Sequence, residues 1–390
     1  MPHQAWCEMR LIHFSDTHLG FTESSRADPA TGVNVREQDV YAAFNGIIQE
    51  AIARKPDLVV HAGDLFHSPR PSNRAIVTAL VGFQRLSEAG IPVVLIAGNH
   101  SVPRVAATGS IFEAMRVLPG IRAAFSGRYE VFEVGEAAVH CVPHVATEVG
   151  LRAALDSVSP LPAKRFNVLL MHGGLRGTGE QYSLGEFNEV TIVKDVLARF
   201  DAFDYVALGH YHRHIHIGAN AWYSGSPERF HQNEAGYKKG FIEVDLATRK
   251  AMFHPTSPRE IAILPGVNCR GRSVPEIVSA AADALRSAQP LKDKIVIVRL
   301  EQIDPTTWTE LQRQRRPIED EHAADVFEIR WDPSFSEPKG TKSRSSTIGS
   351  LAAEFAAFIK TAKVEGLDRS RLRRLGERFI SDALEAEGTE

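Results

Sequence analysis

Five short polar elements in this chain of 390 residues carry the residue types that hold divalent metals. They are Asp16-Thr17-His18, Gly63-Asp64, Gly98-Asn99-His100, His172 ahead of Gly173-Gly174, and Gly209-His210-Tyr211-His212. Carboxylates at Asp16 and Asp64, an amide carbonyl at Asn99 and imidazoles at His18, His172, His210 and His212 mix hard and borderline ligands, a set that favours manganese, iron or zinc over magnesium alone. These seven ligands divide between two ions, with Asp64 able to bridge them. Two ions about 3.5 to 4 Å apart polarise a phosphoryl oxygen and lower the pKa of a shared water for in-line attack at phosphorus. Phosphoester hydrolysis is the chemistry to which this inventory points.

Other histidines read differently. The stretch LGHYHRHIH places His210, His212, His214 and His216 at alternate positions, so on an extended backbone all four project from one side. Only His210 and His212 belong to a recurrent element; His214 and His216 have no partner element and read as strand extension or exposed surface. His13 and His61 lie inside apolar runs and read as core histidines, while His140 and His144 stay open.

The elements that must position these residues follow from the apolar pattern. Runs at 11–14, 58–61, 93–97, 168–171 and 205–208 read as buried strands, and each runs straight into one of the five polar elements. Between them, residues 36–54 carry an apolar stripe of Val40, Phe44, Ile47, Ile48, Ala51 and Ile52. Residues 73–88 carry another of Ile76, Leu80, Phe83 and Leu86, with Ser72 as N-cap. Strand and helix in alternation predict an α/β fold, and further strands at 137–142, 222–224, 241–246 and 251–254 complete one or two sheets. In open α/β sheets ligands bind beyond the carboxyl ends of the strands, which brings residues as far apart as 16 and 212 into one cleft.

After residue 257 the pattern changes to strands at 260–264, 294–300 and 326–331 with helices at 275–287 and 305–314, a small α+β domain. EPKGTKSRSS has a linker's composition, and two amphipathic helices follow, marked by Leu351, Phe355, Phe358 and by Leu372, Leu375, Phe379, Leu384. The expected divisions are 1–257, 258–336, a linker at 337–346 and a helical tail at 347–390. Lys and Arg number 45 against 48 Asp and Glu, so a polyanionic partner must be held by local patches or bound metals and not by a global basic field. Cys7, Cys141 and Cys269 form no CxxC pair, which fits a reducing compartment without a thiolate zinc site. No apolar run reaches the ~18 residues of a membrane span, and the amino terminus lacks a signal-peptide core, so the expectation is a cytoplasmic protein with no membrane partner.

With these residues in place, the sequence resembles the calcineurin-like metallophosphoesterases. Their signature DxH…GD…GNH…H…GHxH is matched at Asp16 and His18, Gly63-Asp64, Gly98-Asn99-His100, His172 and Gly209-His210-Tyr211-His212. Within that superfamily, FSDTHLG, AGDLFHSPRPS and YSGSPERF…KKGF are similar to the SbcD-type nucleases of DNA double-strand-break repair. The resemblance implies a β-sandwich flanked by helices, a small α+β capping domain that binds DNA, and a C-terminal helical pair that binds an SbcC-like ATPase. It assigns one metal to Asp16, His18 and His212, the second to Asn99, His172 and His210, and the bridge to Asp64. Manganese is the first choice of metal, with magnesium, iron and zinc as alternatives. His100 becomes a proton donor or transition-state stabiliser, and His67 helps to position the scissile phosphate. Family members commonly carry an acidic residue where this chain has Ser101, which puts the orientation of His100 in question. The implied function is a two-metal exonuclease and single-strand endonuclease on DNA ends, working as a homodimer. A phosphodiesterase or phosphatase acting on a small nucleotide or phosphoprotein is the first rival, against which the accessory domain and tail weigh. A non-catalytic DNA-end scaffold is the second, against which the intact ligands weigh.

Overall fold

The computed structural model describes residues 9–24, 26–101, 109–175, 191–192, 197–336, 355–356, 358–360 and 368–388. The chain forms two compact units, Met1–Ser334 and Phe335–Glu390.

In the first unit β1 (Arg10–Phe14), β2 (Leu58–His61), β3 (Val93–Ile96) and β4 (Ile121–Ala124) pair in parallel in that order. The crossover helices α1 (Val35–Arg54) and α2 (Asn73–Glu88) cover one face. A second sheet is built from β5 (Glu130–Val134), β6 (Ala137–Val142) and β7 (Phe166–His172). A separate two-residue pair, β8 (Gly174–Leu175) and β9 (Thr191–Ile192), comes next. The second sheet is then completed by β10 (Tyr205–Gly209), β11 (Ile215–Ile217) and β12 (Ala221–Tyr223) in the order β11-β12-β10-β7-β6-β5. The chain returns to the first sheet as β13 (Gly240–Asp245), antiparallel to β1, and β14 (Lys250–Pro255) at its edge.

Successive side chains of a strand face opposite ways, so a strand covered on both faces is apolar throughout. Leu11, Leu58, Val60, Val94 and Ile96 of the first sheet pack on Val139, Cys141, Val168, Leu170 and Ala207 of the second. Their neighbours Ile12, Phe14, Val59, Val93 and Leu95 face α1 and α2. On the outer side of the second sheet, Leu169, Met171, Val206 and Leu208 meet Leu151, Leu155, Phe200 and Phe203. The result is a helix-flanked sandwich. The five strand ends therefore do not share one open sheet: β1, β2 and β3 come from one sheet, β7 and β10 from the other.

Ser72 caps α2, its hydroxyl accepting from the Ala75 N–H at 3.2 Å. The buried face of α2 runs along Ala75, Ala79, Gly82, Phe83 and Leu86, rotated from the expected stripe, while Ile76 and Leu80 are only partly covered. The cause is close helix approach: a Cβ on Gly82 would lie 2.5 Å from the Phe44 ring of α1.

After β14 a four-stranded sheet is built around the long strand: β15 (Ile261–Ile263), β16 (Val267–Asn268), β17 (Ile295–Ile303) and β18 (Glu328–Phe335). Helices Val274–Ser287 and Pro305–Gln314 bury Ile277, Ala281, Leu285 and Leu311 against Val296, Val298 and Leu300. This sheet is tied to the sandwich by Arg259, which grips both carboxylate oxygens of Asp39 at 2.6 and 2.8 Å. Arg26 adds a bond to the Phe327 carbonyl at 2.8 Å, and Arg330 one to the Glu23 carbonyl at 2.7 Å.

In the second unit, helix Arg369–Gly388 packs against Phe355, since a Cβ on Gly376 would lie 2.1 Å from that ring. Phe358, Leu375 and Phe379 are exposed. The expected linker at 337–346 and Leu351 lie outside the described residues. Cys141 and Cys269 are buried thiols, and Cys7 lies outside the described residues. Among the described residues, no helix is long and apolar enough to cross a membrane.

Candidate metal centre

The ladder between β1 and β2 continues past the strands. Asp16 N–H donates to the Gly63 carbonyl at 3.0 Å, His18 N–H to Asp64 at 3.0 Å and Leu19 N–H to Leu65 at 2.9 Å, which sets Asp16, His18 and Asp64 side by side. The second sheet is tied in by His210, whose N–H donates to the Asp16 carboxylate at 2.9 and 3.2 Å. Asp16, His18, Asp64 and His210 all have positive φ, at 53°, 44°, 52° and 113°. Side-chain-bearing residues adopt such values at a cost, and strain of this kind concentrates at functional sites. Close backbone approach demands glycine twice: a Cβ on Gly209 would lie 2.0 Å from the Ala62 carbonyl oxygen, and one on Gly98 2.2 Å from the Asp64 carboxylate.

Hydrogen bonds at the rear of the rings fix their tautomers. His172 Nδ1–H donates to the Ala62 carbonyl at 2.8 Å, which leaves Nε2 facing Asn99 Oδ1 at 2.9 Å and Asp64 Oδ2 at 3.2 Å. His212 Nδ1–H donates to Glu234 Oε1 at 2.8 Å, and its Nε2 lies 3.0 Å from His18 Nε2. Ligand atoms of Asp16, His18 and His212 lie within 4.8 Å of one another, as do those of Asp16, Asp64 and His172. His18, His67 and His100 form a third such group, and the ring of His210, 5.4 Å from that of His172, joins none of the three. Asp64 sits between the groups, its Oδ2 also 3.9 Å from His18 Nε2.

Burial raises the Asp16 carboxyl above its ordinary value, against the pull of His172 and His212. Burial pushes Asp64 the same way, but His172, His18 and His100 overcome it and hold that carboxyl well below the carboxylate range. Burial lowers His18, with Asp64 resisting and His212, His100 and His67 adding to the drop. His172 is pushed down by burial yet held at about 9 by Asp64 and Asp16. Without an ion, the His172 proton sits among these acceptors on Nε2, facing Asn99 and Asp64; carboxylates, an amide oxygen and ring nitrogens converge on a buried space, and a cation that displaces that proton is what such a set holds. Its composition fits two divalent ions of the borderline class.

His100 and His67 lie beside this centre, partly exposed. The His100 N–H donates to Asp64 Oδ1 at 3.0 Å, and its Nδ1–H to the His67 carbonyl at 3.2 Å. The two rings stack at 5.5 Å, and His67 Nδ1 is 3.4 Å from His18 Nδ1. Ser101 is buried and bonds the Phe66 carbonyl at 3.3 Å.

The remaining histidines sort as follows. His13 meets the Tyr205 hydroxyl at 3.0 Å and His61 the Thr17 hydroxyl at 3.1 Å, both within the core. His140 is buried between Tyr129 and Asn167. His144 is buried near the centre and lowered to about 4, first by burial and then by His172. His214 and His216 stack on Trp222, away from the ligand groups. Reasoning from sequence missed Ser15, whose hydroxyl donates to Asp16 Oδ2 at 2.5 Å, and the pair Glu234 and Lys239 behind His212. Lys239 stands in the KKGF stretch, but no spacing marks Glu234.

A helix-flanked double sheet with an Asp/His/Asn cluster at its strand ends defines a metal-dependent phosphoesterase. The chain belongs to the calcineurin-like phosphoesterase family, whose profile matches residues 9–226. It is similar to the DNA double-strand break repair protein Mre11 of Methanocaldococcus jannaschii, 30% identical over 252 residues covering 61% of this chain and 63% of that protein. The protein of the same name from Sulfurisphaera tokodaii is 31% identical over 238 residues, covering 59% of this chain and 57% of its own length. The matches therefore span about three-fifths of these relatives.

Proposed function

We propose that this chain is a two-metal DNA nuclease, an exonuclease and single-strand endonuclease that trims DNA ends together with an SbcC-like ATPase. The observation that carries the reading is the position of Asp64 Oδ2, 3.2 Å from His172 Nε2 and 3.9 Å from His18 Nε2, where one carboxylate would serve two ions. Asp16, His18 and His212 would hold one ion and Asn99, His172 and His210 the other, with Asp64 shared between them; manganese would suit both. When bound, the ions supply Lewis acidity to the phosphoryl oxygen and lower the pKa of an attacking water. His100, with Nδ1–H spent on the His67 carbonyl, uses Nε2 to exchange a proton with the phosphate or its leaving oxygen. His67 lies against His100 and steadies the phosphate.

DNA as substrate is supported by the similarity to Mre11 and by the α+β domain at 258–336, which we assign to DNA binding. A net charge of -3 means that the duplex must be gripped by the ions and by local arginines and lysines. A homodimer is the assembly that belongs to this proposal.

The test is hydrolysis of linear duplex, circular single-stranded DNA and a chromogenic phosphodiester with manganese or magnesium, alongside elemental analysis. His210→Ala and His212→Ala each abolish hydrolysis and reduce bound metal, whereas His214→Ala and His216→Ala leave both nearly intact. Equal metal loss in all four overturns the assignment of ligands, and cleavage of the chromogenic ester alone replaces the nuclease with a small-molecule phosphodiesterase.

A further inference from the structure

The stretch from Tyr223 to Phe241 contributes none of the proposed ligands, yet it closes around one of them. Glu234 accepts from His212 Nδ1–H through Oε1 at 2.8 Å, while Oε2 takes the Phe230 N–H at 3.2 Å and the ammonium of Lys239. Lys239 Nζ also donates to the carbonyl oxygen of His212 and to Ser226 Oγ, each at 2.8 Å. All three ammonium protons are thereby placed. The lysine is 1% exposed and the glutamate 5%. One lysine thus holds the same histidine twice, directly at the backbone and, through Glu234, at the ring. Phe230 closes that side, its ring 5.2 Å from His212 and 4.9 Å from His18.

A buried ion pair gives a fold little net stability, since desolvation offsets most of the attraction and apolar residues of similar volume serve as well. Its use here lies in what it positions. A carboxylate on Nδ1–H fixes the tautomer, aims Nε2 and raises its basicity as a ligand. The ammonium keeps that carboxylate charged and aligned, and it also holds the carbonyl oxygen of His212 itself.

We infer that Glu234 and Lys239 are positioning residues that set the affinity for the ion on Asp16, His18 and His212 and leave the ion on Asn99, His172 and His210 unaffected. The inference rests on the two-metal reading. It requires a selective loss: without the pair, the protein holds one ion tightly and the other weakly.

The test variant is Glu234→Gln with Lys239→Met, in which the amide still accepts from His212 but both charges are gone. Manganese per full-length chain is measured by equilibrium dialysis and elemental analysis across a range of free manganese, with thermal melting to establish folding. The variant is expected to keep one ion at wild-type affinity and to bind the second about 10- to 100-fold more weakly, with hydrolysis recovering as manganese is raised. Glu234→Asp keeps the charge pair but withdraws the acceptor from His212 by one methylene, and the same selective loss is expected should the double variant fold poorly. His212→Ala is the reference. If it loses one ion while the folded pair variants hold both at wild-type affinity, or lose both equally, the inference is overturned. If His212→Ala itself holds both ions at wild-type affinity, the two-metal reading fails and the inference falls with it.

Discussion

With Ser101 where the resemblance implies an acidic residue, the ring of His100 donates from Nδ1–H to the carbonyl of His67, and the Ser101 hydroxyl donates to the carbonyl of Phe66. The His67 carbonyl thus holds the Nδ1 side of the His100 ring, and the Asp64 carboxylate holds its main-chain N–H. His100→Ala removes a proton-transfer group without touching the proposed ligands, so it is expected to retain two ions and bind DNA while cleaving ~10²- to 10⁴-fold more slowly. Single-turnover cleavage beside elemental analysis checks this, and wild-type turnover would remove His100 from the mechanism. A second expectation concerns stability. His13 and His61 are both lowered to about 3, chiefly by burial, so each is neutral when folded and takes up a proton on unfolding below its ordinary value of 6.5. The stability this provides is present in full above pH 6.5 and drains away as pH falls toward 3. Each group contributes a slope of up to about 1.4 kcal/mol per pH unit. His13→Gln, which can keep a bond to Tyr205 but cannot titrate, should flatten the pH dependence of urea unfolding of chelator-treated protein between neutrality and pH 5; an unchanged slope would refute the account.

At the scale of elements, the centre exists because loops from two sheets meet at van der Waals limits. Gly209 ends β10 against the end of β2, and a methyl group there would lie 2.0 Å from a backbone oxygen that no rotamer change can move. Gly209→Ala must therefore displace the His210 and His212 loop from Asp16 and Asp64. Loss of metal is expected together with a destabilisation of about 1 to 3 kcal/mol, measured by elemental analysis and denaturant unfolding; full occupancy in a folded variant would show that the loops adapt. The same elements show what a sequence discloses. β1, β2, β3, β7 and β10 are buried on both faces and were legible as apolar runs that only His13 and His61 interrupt, and the candidate ligands were legible because each polar element follows such a run. β4 (Ile121–Ala124) and β5 (Glu130–Val134) escaped notice, since β5 is largely half-exposed and neither strand leads into a polar element. Which sheet each strand joins is decided by pairing between distant segments, so β1 with β13 and β7 with β10 could not be read locally. Glu234 was hidden for the same reason: only the folded chain brings it to His212, 22 positions away.

For the molecule as a whole, the catalytic unit and the tail make separable demands. Every proposed ligand lies in Met1–Ser334, while the exposed apolar side chains of Phe358, Leu375 and Phe379 belong to Phe335–Glu390. Each would gain ~1.5 to 3 kcal/mol on full burial, and helix Arg369–Gly388 already uses its Gly376 face on Phe355. An apolar helix face of this kind suits docking onto a partner helix, and we assign it to the SbcC-like ATPase. The arginines at 369, 371, 373 and 374 lie on the same helix, and Arg373 is paired with Glu377 at 2.7 Å. Deleting residues 341 to 390 is expected to leave metal-dependent hydrolysis of a chromogenic phosphodiester unchanged and to abolish both co-purification with the ATPase and ATP-stimulated processing of duplex ends. Retained co-purification would show that the tail is not the docking element. Loss of folding or of small-substrate activity would show that the tail packs on its own catalytic unit. A tail that instead grips DNA phosphates would reveal itself in the full-length protein as duplex affinity that falls steeply with salt, a dependence that the truncation should then flatten.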